Sequence, residues 1–254
     1  MYANVSPYVC CNIPEFKEEL EYLENNTFEK IRRLYDEYNV NFEPCNISWS
    51  ENDLIAKNGF LLRLLLHNVE NSAPFFLCLL GEKYGPYVEE DKATKAKFEN
   101  LRKYNKNSSE LFLPTTRRMN WIEKNLVIAQ KTGYSSIVNP LTQNNSLLDL
   151  QIQTAVLNGS NHEFFRFYYR QPEFIETKLK DMSQNERNEE LIKWGPENEY
   201  CEFKIKDLKT RLSRKGLSIK YYQSIEELDN LIFSDYEEIL KSRDFENLIL
   251  KSEF

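Results

Sequence analysis

The sequence predicts an α/β fold, an open parallel sheet of about five strands with helices on both faces. Three observations predict it. The run Pro74-Phe75-Phe76-Leu77-Cys78-Leu79-Leu80 is continuously apolar, as a strand covered on both faces must be. Short apolar runs alternate along the chain with stretches of helical period, the pattern of strand–helix–strand units. The composition, 41% hydrophobic and 29% charged over 254 residues, is that of a globular chain long enough for one large domain.

The elements follow in order. Tyr8-Val9-Cys10-Cys11 reads as the first strand. Phe16, Leu20, Leu23, Phe28, Ile31 and Leu34 then recur among Glu and Lys near helical spacing, so an amphipathic helix follows. Residues 40–47 alternate loosely and predict a second strand. Ser50-Glu51-Asn52-Asp53 offers an N-cap and an acidic first turn for a helix to about His67. The apolar run 74–80 is the third strand. Residues 89–145 are rich in Lys, Asn, Ser and Thr and read as a variable insertion with one or two helices. Residues 146–157 are helical and 164–169 form a fourth strand. Pro172 opens a polar, helix-prone stretch to about Trp194. A helix at 203–214 ends at Gly216, as a C-cap should. A short strand at 217–221 follows, and Ser224-Ile225-Glu226-Glu227 is a capping-box pattern for a helix to about Leu240. The domain therefore spans 1–245, with 246–254 a tail or the start of a linker. No internal repeat and no sustained heptad is visible.

Composition excludes several functions. The net charge of −7 argues against nucleic acid, which needs a basic face; Arg117-Arg118 is a short cluster that a solvated loop explains. The five cysteines show no CxxC or CxxH spacing, so no metal is expected. Cys10, Cys45 and Cys78 lie in apolar runs and act as small hydrophobes. An odd cysteine count without a signal peptide suits a reducing compartment and a cytoplasmic location. No apolar run is long enough to span a membrane.

Chemistry is sparsely signalled. Leu80-Gly81-Glu82-Lys83-Tyr84-Gly85-Pro86 directly follows the third strand, where open α/β sheets place ligands. The competing reading is a structural strand-exit turn with Tyr84 packed back on the sheet. No GKS or GKT follows, so it is not a P-loop. His67 and His162 are the only histidines, and no local signature pairs either with a cysteine. No spaced carboxylate pair reads as an acid/base couple.

These motifs, in this order, resemble the TIR-like (DUF4062) domain that precedes the NACHT ATPase in NACHT–WD40 proteins. The likeness runs over residues 8–240 and is carried chiefly by Pro74-Phe75-Phe76-Leu77-Cys78-Leu79-Leu80-Gly81-Glu82-Lys83-Tyr84-Gly85 and Phe165-Arg166-Phe167-Tyr168-Tyr169-Arg170-Gln171-Pro172. Asn46-Ile47-Ser48-Trp49-Ser50 is similar to the family's DLRWG strand end, and Ser146-Leu147-Leu148-Asp149-Leu150-Gln151-Ile152 to its helix before the fourth strand. The resemblance implies a TIR-like, flavodoxin-like sheet and a cleft formed by Cys11, Asn12, Trp49, Gly81, Glu82, Tyr84 and Gly85. It also implies a signalling protein in which a NACHT module follows.

Some TIR domains cleave NAD with a glutamate on the helix before the fourth strand. That position reads here as Gln151, which cannot carry the negative charge that stabilises an oxocarbenium-like state. Asp149 lies two residues away, about 200° around the helix. Gln151 and Asp149 are thus degenerate catalytic candidates. The expectation is a non-catalytic scaffolding domain that binds protein partners or itself and needs no cofactor. The alternative is an NAD glycohydrolase or nucleotide binder.

Overall fold

The computed structural model describes residues 3–89, 111, 118–158, 162–180 and 182–252. The chain divides into two compact units. The first is drawn from Met1–Asn46, Ser72–Tyr84 and Gly159–Phe254, the second from Ile47–Asn71 and Gly85–Asn158.

The first unit holds the sheet. Its strands are β1 (Ala3–Val5), β2 (Tyr8–Cys10), β3 (Val40–Phe42), β4 (Phe76–Leu80), β5 (Phe165–Arg170) and β6 (Ile219–Tyr222), and every pairing is parallel. β1 and β2 are one strand path interrupted at Pro7, which has no N–H to give a ladder. The backbone closes the gap. Glu43 N–H donates to the Val5 carbonyl at 2.9 Å, Cys45 N–H to that of Pro7 at 2.9 Å, and Val9 N–H to that of Cys45 at 3.0 Å. With β3 on one side of that path and β4-β5-β6 on the other, the order is the flavodoxin-like one. It has a topological switch beside the first strand.

Both faces are covered. Val9, Leu77, Leu79 and Tyr168 belong to a core packed under a helix from Lys17 to Asp36 and under the helix Ile225–Lys241. The long helix consists of α1 (Lys17–Tyr22), a π-helical turn (Leu23–Thr27) and α2 (Phe28–Asp36). A π turn adds a residue and re-aims the side chain after it. Here it brings the buried Thr27 hydroxyl to Asp229 Oδ1 at 2.7 Å, while Lys30 Nζ meets Oδ2 at 2.7 Å. On the opposite pleat Tyr8, Phe76, Phe165 and Phe167 build an aromatic ladder with ring centroids 5.6–6.2 Å apart.

After β5 come α7 (Pro172–Leu179), α8 (Gln184–Trp194), α9 (Glu199–Ser213), α10 (Ile225–Lys241) and α11 (Arg243–Ser252). Pro172 occupies the first turn of α7, where its missing N–H costs nothing. Ser183 and Glu186 close a capping box on α8. The Ser224 hydroxyl accepts from Glu227 N–H, as the sequence pattern predicts. The last helix continues past the expected domain end. Residues 243–252 are helical rather than a tail, and Phe245 is buried against Tyr35, Phe75 and Phe164.

The second unit is helical. It contains α3 (Leu54–Lys57), α4 (Leu61–Asn71), α5 (Trp121–Ala129) and α6 (Leu147–Asn158), around a core that includes Ala56, Leu62, Leu65, Leu126, Val138, Leu147 and Leu150. The single helix expected to His67 is broken in two. Gly59 adopts φ +86°, which side-chain-bearing residues avoid, and a Cβ there would lie 2.8 Å from Ile128 and 3.0 Å from the Lys124 backbone. Asn125 repairs the break: its amide donates to the Ala56 and Trp121 carbonyls at 2.8 Å, and its carbonyl accepts Leu62 N–H at 2.9 Å. Asn120 and Glu123 form a capping box on α5. The rest of the expected insertion lies largely outside the described residues, as does Arg117.

Candidate functional site

The carboxyl ends of β2, β4, β5 and β6 are where an open α/β sheet takes a ligand. Here a charged side chain from the sheet itself fills that place. Arg170, the last residue of β5, is fully buried. Its Nη2 pairs with Glu15 Oε1, its Nη1 reaches Glu19 Oε1 at 2.8 Å, and Nη1 also lies 3.4 Å from the Glu15 carbonyl. The guanidinium stacks over Trp194 at 4.4 Å, Phe16 at 4.6 Å and Phe174 at 5.4 Å. Arginine suits this role because its planar fork can bind two carboxylates while its faces lie on aromatic rings.

The acidic partners come from the segment after β2. Asn12 O accepts Glu15 N–H at 2.9 Å and Phe16 N–H at 3.3 Å, a turn that starts α1 and points Glu15 and Glu19 inward. Glu15 also accepts the backbone N–H of Glu82 at 2.9 Å and of Lys83 at 3.4 Å. The Tyr222 hydroxyl, at the end of β6, donates to Glu19 Oε1 at 3.3 Å. Burial, and then Glu19, push that hydroxyl up well above its ordinary value, so it remains a neutral donor. Burial pushes the Glu15 carboxyl up to about 7, and the opposing pull of Arg170 does not cancel it.

The strand-exit segment is built into this cluster. A Cβ at Gly81 would overlap Glu15 Oε1 and lie 2.6 Å from Arg170 Nη2, so any larger residue there forces the Glu15–Arg170 pair to shift. Glu82 pairs with Lys209 Nζ at 2.9 Å. Tyr84 is fully buried, its N–H donating to Glu197 Oε2 at 3.1 Å, with the Lys204 ammonium 5.5 Å from its ring centroid. The structural-turn reading of this motif therefore describes its geometry.

The expected cleft residues and the two degenerate catalytic candidates fall into both units. Cys11, Asn12, Gly81, Glu82 and Tyr84 belong to the first, Trp49, Gly85, Asp149 and Gln151 to the second. Cys11 and Asn12 are buried rather than presented to a cleft, and burial pushes the Cys11 thiol well up, the reverse of what a nucleophile needs. Trp49 is half-buried and packs 6.0 Å from Trp121. Gly85 takes φ +86°. Gln151 and Asp149 are both buried in α6. Gln151 Nε2 donates back to the Leu147 carbonyl at 2.8 Å, and Asp149 Oδ1 accepts from Gln153 at 2.9 Å. His67 is exposed and lies 3.0 Å from the Asn71 amide. Among the described residues no group of three or more His, Cys, Asp or Glu side chains could hold a metal ion, and no helix is long and apolar enough to cross a membrane.

Sequence reasoning missed Arg170, Glu15 and Glu19. The signal was available: two arginines, Arg166 and Arg170, stand in an otherwise apolar strand, and a buried arginine needs an acidic partner. Arg166 has one as well, with Nε 3.2 Å from Asp235 Oδ1; that carboxylate also takes Lys220 Nζ at 2.9 Å and the Tyr168 hydroxyl at 2.7 Å.

No protein-family model matches the chain, and no solved structure matches it. Three curated proteins are similar to it along 93% of its length. The human putative tetratricopeptide repeat protein 41 is 28% identical, and tetratricopeptide repeat protein 41 of rat and of mouse are 25% and 24% identical. The chain spans only 17–18% of the length of these relatives. The assignment to the TIR-like domain of NACHT–WD40 proteins is thereby corrected, because the likeness over 93% of this chain is to differently named proteins and no TIR-like family model matches. The 74–85 motif has a physical origin: a doubly covered parallel strand demands an apolar run, and Gly81 lies against the Glu15–Arg170 pair.

Proposed function

We propose that this chain is a non-catalytic protein-interaction domain that docks a basic, amphipathic protein segment on α8 and α9. One observation carries the reading: the position where an open α/β sheet takes a small molecule is filled by Arg170 with its own glutamates and aromatic rings. The surface beside it has the character of a docking face. Leu191 and Ile192 on α8, and Tyr200 and Phe203 on α9, are exposed; Ile192 is 77% and Phe203 67% accessible. Lys83 Nζ holds the Ile192 carbonyl at 2.9 Å, which ties this connection to the turn after β4. Lys204, Lys206, Lys209 and Arg211 lie with Asp207 in the later part of α9, whereas the stretch 184–203 is acidic: Glu186, Glu189, Glu190, Glu197, Glu199 and Glu202 stand against Arg187 and Lys193. A partner with apolar anchors and basic flanks complements that field, whereas a second copy of an acidic chain is repelled. The relatives' name refers to tetratricopeptide repeats, stacked helical modules that present binding surfaces, and this supports an interaction role.

The test uses a synthetic amphipathic Leu/Lys helix as probe and its Leu/Glu counterpart as control, followed by fluorescence anisotropy. The Leu/Lys probe binds, weakens with salt, and loses about tenfold or more in affinity with Ile192→Asp plus Phe203→Asp. Equal binding of the control, or an unaffected double variant, overturns the docking face. Turnover of NAD that Gln151→Ala abolishes overturns the non-catalytic reading.

A further inference from the structure

Two fully buried carboxylates, Glu15 and Glu19, face one fully buried guanidinium, Arg170. With both ionised the cluster carries a net negative charge in a water-poor site, which is strongly disfavoured. The other groups that face Glu15 do not relieve it. The Cys11 thiol, from the segment after β2, is held neutral by burial, and so is the Tyr222 hydroxyl of β6. The Glu82 carboxylate adds negative charge and is itself turned to Lys209. Lys83 offers Glu15 its backbone N–H, while its ammonium is spent on the Ile192 carbonyl. Glu19 Oε2 and Arg170 Nε have no hydrogen-bond partner, so the cluster is under-satisfied as well as unbalanced.

We propose that Glu15 is a proton-operated latch on the turn at residues 81–84. Ionised, the Glu15 carboxylate clamps the turn by accepting the Glu82 and Lys83 amides alongside Arg170. Taking one proton from solvent brings the cluster to neutrality: Glu15 and its proton together carry no charge, and Arg170 balances Glu19. The protonated oxygen is now a donor and no longer accepts from Lys83, and the charge-assisted bond to Glu82 weakens. The raised Glu15 carboxyl, at about 7, places this exchange near neutral pH. The turn leads through Lys83–Ile192 and Tyr84–Glu197 to the ends of α8 and α9. Releasing it therefore loosens the proposed docking face; that consequence, unlike the latch, rests on the docking reading.

The experiment is an NMR titration of the ¹⁵N,¹³C-labelled chain from about pH 5.5 to about 8.5, paired with Leu/Lys-probe affinity at both ends. The Glu82 and Lys83 amide resonances and the Glu15 carboxyl carbon shift together with a midpoint near 7, and Glu15→Gln removes the amide titration. Should that variant not fold, the wild-type carboxyl resonance decides alone. A Glu15 midpoint below about 5, flat amides, or an unchanged titration in Glu15→Gln overturns the latch. A titrating turn with no probe binding at either pH sinks the docking reading and leaves the latch standing. Probe affinity that is several-fold tighter at high pH supports both.

Discussion

Replacing Arg170 by Met removes the one buried cation that faces Glu15 and Glu19 and leaves both acids without compensation. Breaking a buried ion pair from one side costs about 3–5 kcal/mol. The lost stacking on Trp194, Phe16 and Phe174 adds to this, since desolvated cation–π contacts reach about 2 kcal/mol. A domain has only about 5–15 kcal/mol of stability in total, so the substitution brings the first unit near the edge of folding. With a urea slope of about 2–3 kcal/mol per molar, the midpoint falls by roughly 1–3 M. The deficit shrinks at acid pH, where the orphaned carboxyls take up protons. A matched triple variant, Glu15→Leu, Glu19→Leu and Arg170→Met, replaces the charges with apolar groups of similar volume and recovers most of the loss. A single variant within about 1 kcal/mol of wild type in urea refutes the uncompensated-charge argument. So does a triple variant as unstable as the single one, because shape rather than charge would then be limiting.

Gly81→Ala drives a methyl group into Glu15 and Arg170 and is expected to cost about 1–3 kcal/mol, read as a lower urea midpoint. In the second unit, Asn125→Leu leaves the Leu62 N–H and the Ala56 carbonyl without their partner; a loss of about 2–4 kcal/mol shows as faster hydrogen exchange in α4 and α5. Thr27→Val keeps the shape of the π turn but takes the hydroxyl from Asp229, costing about 1–2 kcal/mol in the same urea assay. Glu15 also gives stability a pH slope. Its folded-state value of about 7 stands above the usual 4.5. Its contribution is therefore complete below the unfolded value and is lost as pH rises through about 7, up to about 3 kcal/mol at roughly 1.4 kcal/mol per tenfold step. Urea midpoints of wild type minus Glu15→Gln across that window check the sign; a difference that grows with pH sinks it.

By itself the sequence determined the elements whose cause is local. The apolar run at 74–80, the capping serine at 224 and the helical spacing from Phe16 onward each state their burial or their start in neighbouring residues. Parallel pairing follows from the same information, because a strand apolar on both faces has to lie between two layers. The break at Gly59 was less legible, since the helical period continues across it and only packing against Ile128 and Lys124 fixes the turn. The site was legible in residue type but not in partnership. Arg170 in an apolar strand announces that an acid is needed, yet Glu15 lies 155 residues away and Glu19 lies 151. Thr27 and Asp229 are likewise 202 residues apart. Periodicity records which face is buried and carries no record of what it meets. The tertiary structure alone decided that the strand-end position holds the protein's own charges, because only the sheet order brings the end of β5 beside the segment after β2 and the turn after β4.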